Sequence, residues 1–157
     1  MPDEVDEVEE IPVDHEVSRQ IFWPHKFQDK TGVIWASAFM FSGGDGESVV
    51  WRKYKPQAAD VHELGCEHQK RKKASTPEAD FRYVGFITAQ VGAIQAVITA
   101  RGFSFAVIHD PSDGQGKHHA EIRRQQAGPG KPTPNDKSDL LVHLKNVFSA
   151  LEPHSCG

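Results

Sequence analysis

Three imidazoles and the carboxylates of Asp110 and Glu121 fall within Phe103–Arg124, FSFAVIHDPSDGQGKHHAEIRR. An apolar run ends in His109, Asp110 and Pro111, a Gly-rich turn follows, and a second run opens on His118 and His119 and reaches Glu121. Two strands joined by that turn would carry these side chains toward one place. Histidine suits proton transfer near neutral pH because its unperturbed pKa is about 6.5. A neighbouring carboxylate fixes its tautomer and its orientation. Successive strand residues alternate faces, so His119 and Glu121 form the natural pair and His118 points away. The segment is a candidate acid/base site, with His119, Asp110 and Glu121 as catalytic candidates and His109 and His118 as binding candidates. Two other readings compete: a polar hairpin end in which Asp-Pro simply starts a turn, and a metal site.

A second set is His62, Cys66 and His68 in HELGCEH. On a helix, His62 and Cys66 share a face and His68 is displaced from both. Structural zinc normally takes four ligands at recognisable spacing, and neither CxxC nor HExxH occurs. A half-buried cysteine on an ordinary helix is the simpler reading, with His62, Cys66 and His68 kept as the alternative metal set. The glycines of SGGDG and DGQG match neither GxxxxGK[ST] nor a GxGxxG that opens a helix. Ser37 lies in a strand candidate rather than a GxSxG elbow, so a serine hydrolase is not expected there. Lys70–Lys73 with Arg123 and Arg124 could contact phosphates. Trp23, Trp35, Trp51 and Tyr54 could stack on bases. However, Trp35 and Trp51 sit in apolar runs and read as core.

The elements that must position these residues are short. The 157 residues fit one domain, and the mean hydropathy of −0.53 fits a normal core with solvated ends. Eight of the 22 acidic residues fall in 1–16, without a Lys or Arg, leaving 14 against 18 bases, so the net −4 conceals a body near +4. That acidic stretch reads as a disordered tail, either an aid to solubility or a cover for a basic face. Val33–Phe41 and Ser48–Tyr54 around SGGDG read as a β-hairpin. Pro56 then suits a helix start, with Ala58, Val61, Leu64 and His68 on one face, before an exposed linker at 69–80. Strands are expected over Tyr83–Val91, Phe103–His109 and His118–Arg124, with a short helix over 92–100. Residues 125–137 read as a Pro/Gly-rich linker. A last helix over Asp139–Leu151 presents Leu140, Leu144 and Leu151 at helical spacing. The order predicts an α+β domain over 17–124, with a mainly antiparallel sheet of about five strands and two or three helices.

Several segments in order carry a resemblance. They are Trp23-Pro24-His25, Ser37-Ala38-Phe39, Ser48-Val49 with Trp51 and Tyr54, Arg101-Gly102-Phe103 with Val107, Asp110-Pro111, and His119-Ala120-Glu121-Ile122. Over residues 22–123 the chain resembles a group of small uncharacterised bacterial proteins of unknown activity. The resemblance implies attention to His25, Ser37, Asp110 and His119. His118 and Glu121 depart from the small and apolar residues of that group.

No apolar run approaches the ~20 residues of a membrane span, so no membrane partner is expected. The acidic start is not that of a signal peptide. With only Cys66 and Cys156, a disulfide is not expected and the cytoplasm is the default. The sequence assigns no cofactor and leaves that question to the structure. Two functions follow. One is a binding or accessory module engaging a protein through its tails or last helix, or an anionic partner such as nucleic acid. The other is a small hydrolase or transferase on a phosphate-bearing or nucleotide-like substrate. In it His119 would be acid or base, Asp110 or Glu121 its orienter, and His25 and Ser37 substrate contacts.

Overall fold

The computed structural model describes residues 7–23, 27–28, 33–34, 46–78, 80–98, 104–111, 116–125 and 134–156. His25, Ser37, Trp35, residues 42–45 of the SGGDG turn and most of the 125–137 stretch lie outside them.

Six strands form one antiparallel sheet: β1 (Glu16–Trp23), β4 (Gly46–Trp51), β5 (Arg82–Gln90), β6 (Ser104–His109), β7 (His119–Gln125) and β8 (Glu152–Pro153). Their order across the sheet is β6-β7-β4-β1-β5-β8. A separate ribbon pairs β2 (Phe27–Gln28) with β3 (Val33–Ile34). Among the described residues, three helices complete the fold: α1 (Ala58–Ser75), α2 (Val91–Gln95) and α3 (Pro134–Asn146). The class is α+β, as the sequence predicts, with one strand more than expected.

Strand alternation divides the sheet into two faces. Val17 and Ile21, Val49 and Trp51, Ile87 and Ala89, Phe105 and Val107, and Ala120 and Ile122 join one buried cluster. Ile11, Val91 and Ile94 close over it, and so does Leu144 of α3, which is fully buried. The last helix therefore belongs to the core. The opposite face carries a smaller cluster in which Val50 and Phe86 meet Val61, with Ala58 and Leu64 alongside. Helix α1 covers only part of that second face. Asp60 in its first turn and Lys72 and Lys73 in its last complement the helix dipole.

Several expectations change. Within the described residues, Val33–Ile34 pairs with Phe27–Gln28, and β4 pairs with β1 and β7 instead. Residues 7–15 lie against the body: Ile11 is buried, and the Glu9 carboxylate takes Lys53 and the Tyr54 hydroxyl. Strand β1 is not among the strands expected from the sequence, because Arg19 interrupts its apolar face. Arg19 is tolerated there through a 2.7 Å ion pair with Glu47. Helix α1 runs through the basic cluster to Ser75, since the lysines solvate its outer face. The last helix starts earlier and stops earlier than its apolar spacing implies, and the chain after it adds β8.

The two cysteines are joined. Cys66 on α1 and Cys156 form a disulfide between residues 90 apart in sequence. This corrects the expectation that they stay separate: β8 pairs with β5 and returns the C-terminus to α1. Gly85 makes that return possible. Its φ is +142°, and a Cβ there would lie 2.1 Å from the Glu152 carbonyl oxygen. Backbone cannot yield as a side chain does, so Gly85→Ala should destabilise the fold by about 1–3 kcal/mol. A fall in the urea midpoint checks this, and an unchanged midpoint would contradict the close approach.

Candidate active site

The register of β7 on β4 sets Ser48 opposite Glu121 and Val50 opposite His119. All four therefore face the side of the sheet that α1 only partly covers. A cavity of about 700 Å³ opens there. Ser18, Ser48, His118, His119 and Gly116 line it from the sheet and the turn before β7, and Leu64, Glu67, His68 and Arg71 line it from α1. That size falls within the usual range for small-molecule sites, about 300–1,000 Å³.

His119 is held at both ring nitrogens. Its Nδ1 lies 2.7 Å from the Asp110 backbone carbonyl oxygen, which can only accept, so Nδ1 carries a proton. The Asp110 carboxylate stands 3.6 Å from the same nitrogen. In the neutral ring, Nε2 is then the unprotonated nitrogen, and it lies 3.1 Å from Ser48 Oγ. His119 is 8 % exposed, whereas Ser48 is open to the cavity. Asp110, His119 and Ser48 thus stand as orienter, base and hydroxyl, the geometric logic of an activated nucleophile. The backbone reinforces it: Asp110 N–H donates to the His119 carbonyl at 3.0 Å. His119 N–H closes the preceding turn on the Gly116 carbonyl at 3.1 Å. Gly116 has φ +92°, and a Cβ there would press on the His118 ring.

The other predicted residues separate. His109 occupies the opposite face, beside Trp51 and Tyr54. Its Nδ1 accepts the Glu9 N–H at 2.9 Å and its Nε2 donates to the Lys117 carbonyl at 2.8 Å. Both nitrogens are spent on positioning backbone, so His109 is a structural residue. The imidazoles of His109 and His119 do not converge. His118 sits in the turn rather than in β7, and it borders the same cavity as His119 instead of pointing away. Glu121 receives Arg123 Nε at 3.0 Å. His25 and Ser37 lie outside the described residues.

Among the described residues, two groups of side chains have metal-ligand chemistry. Asp110, His119 and Glu121 bring ligand atoms within 4.8 Å of one another. A cation held there would have to take a His119 nitrogen from Ser48 or from the Asp110 carbonyl. The set His62, Cys66 and His68 does not assemble. Cys66 is in the disulfide, His62 Nδ1 is bonded to the Tyr83 hydroxyl at 2.8 Å, and His68 packs on Phe22 and Phe81. Cys66 does lie with His154 and Cys156 in a second group.

Sequence reasoning missed Ser48. It stands in a strand outside any catalytic motif, and only the β4–β7 register brings it to His119. The chain matches no protein-family model, no curated protein and no solved structure. Function must therefore be argued from geometry.

Three histidines on this side of the sheet are held below their ordinary pKa. Burial is the first cause for His118, with Lys55 and His119 adding to it. Burial also leads for His68, followed by Arg71 and Lys72, and for His62, followed by His154. Each folded pKa lies below the unfolded value of about 6.5, so the unfolded chain binds more protons as pH falls. Stability should be level above about pH 7 and decline as pH falls through about 6.5. Urea midpoints across that range check the sign, and a midpoint that rises on acidification would contradict it.

Proposed function

We propose that the chain is a small hydrolase or transferase acting on an ester of a phosphate-bearing or nucleotide-like molecule, with Ser48 as nucleophile and His119 as its base. The observation that carries this is the Ser48 Oγ to His119 Nε2 distance of 3.1 Å, with Nδ1 fixed by the Asp110 carbonyl. In the reaction, the Ser48 proton passes to Nε2 as Oγ bonds to the ester's central atom. The leaving oxygen then takes that proton, and water or an acceptor alcohol releases the intermediate by the reverse sequence. Asp110 holds the ring and stabilises the imidazolium. Arg71 supplies a fixed positive charge at the cavity for an anionic substrate, while His118 and His68 offer further polar contacts. Glu67 on the same wall disfavours a purely anionic ligand and leaves room for a base or a hydroxyl.

A fluorophosphonate probe tests the proposal directly, because it phosphonylates activated serines. The protein should be labelled at Ser48, and Ser48→Ala should abolish labelling. General base catalysis contributes about 10²–10⁴-fold, so His119→Gln should slow labelling by at least about 100-fold. A folded protein that stays unlabelled at Ser48 would overturn the enzyme reading and leave the cavity to a binding module.

A further inference from the structure

We infer that Cys66, Cys156 and His154 form a site for a thiophilic divalent cation, zinc in the first instance, once the disulfide is reduced. The three side chains bring one ligand atom each within 4.8 Å of one another, although they come from distant parts of the sequence. Helix α1 supplies Cys66, and the C-terminal segment supplies the other two. That segment is placed by backbone bonds rather than by the disulfide alone. Gly85 and Phe86 pair with Pro153 and Glu152, and the His154 N–H donates to the Val84 carbonyl at 3.0 Å.

The imidazole has its own support. The His62 ring stacks on that of His154 with centroids 4.2 Å apart and planes 12° from parallel. His62 is itself buried and bonded to the Tyr83 hydroxyl. His154 thus rests on a fixed platform while its own ring stays exposed.

Two thiolates and an imidazole are the ligand types that borderline and soft cations prefer. Three protein ligands leave a fourth tetrahedral position for water or an added ligand. As a disulfide the sulfurs cannot serve. A phosphine reductant delivers two electrons, takes an oxygen atom from water as phosphine oxide, and leaves two thiols. Zn²⁺ then displaces both thiol protons. A reducing compartment would hold the pair in that thiol form. The same two residues therefore carry two exclusive linkages between α1 and the C-terminus, selected by redox state.

Co²⁺ serves as the spectroscopic probe, on the full chain reduced by a phosphine. The reduced protein should bind one equivalent, with tetrahedral d–d bands and a thiolate-to-metal charge-transfer band, and zinc should displace it. The oxidised protein should show neither band. Even an outer-shell partner is worth about 10–100-fold in metal affinity, so His154→Ala should weaken binding by at least about tenfold. That variant leaves the disulfide intact, which allows its fold to be checked before reduction. Cys66→Ser should remove the charge-transfer band. If reduction unfolds the chain, added zinc should refold it. Equal binding by the oxidised protein, charge transfer retained in Cys66→Ser, or a reduced chain that neither binds cobalt nor refolds with zinc would each overturn the inference.

Discussion

One antiparallel register governs what this molecule can do. With Val50 opposite His119 and Ser48 opposite Glu121, strand alternation sends the base and the hydroxyl to the same side of the sheet. A slip of one residue would turn His119 into the core and bring Ala120 to the cavity. The register is strongly specified because the other face is a dense apolar layer. Val49, Ile122 and Ala120 are buried together, and exchanging them for Ser48, Glu121 and His119 would bury three polar groups. The packing of the core thus fixes the geometry of the site.

Polar groups that enter the core are handled in pairs. Arg19 reaches Glu47 at 2.7 Å and the Ser48 carbonyl at 2.9 Å. That bond holds the backbone of the nucleophile candidate from the core side. Burial lowers the Arg19 pKa and the Glu47 carboxylate opposes this. Charge neutralisation by partner, rather than by proton loss, keeps this segment in the sheet. His109 follows the same logic with neutral partners, since its two nitrogens tie residue 9 and residue 117 to the rim of the main cluster.

The sequence was legible where one signal sufficed. Apolar runs bounded by Gly and Pro located β5, β6 and β7, and helical spacing located α1 and the buried Leu144. The proximity of Asp110 and His119 could be anticipated because a single turn joins them. Three features required knowledge that no local pattern carries. Strand β1 hides because its core face holds Arg19, whose partner Glu47 is on another strand. Ser48 hides because its role depends on register across 71 residues. The disulfide hides because Cys156 reaches Cys66 only through the pairing of β8 with β5. His109 and His119 were expected together because both flank one turn, but alternation on β6 and β7 sends them to opposite faces.

The site depends on the protonation geometry of one ring, which ¹⁵N NMR of the His119 imidazole reads. In the neutral ring, Nδ1 should carry the proton and Nε2 should be bare, with a shift at Nε2 when Ser48 is replaced by alanine. A ring protonated at Nε2 with a bare Nδ1 would show that the Asp110 carbonyl does not set the tautomer, and an Nε2 signal indifferent to Ser48→Ala would show that Ser48 is not bonded to it. His119 could then not act as the base for Ser48.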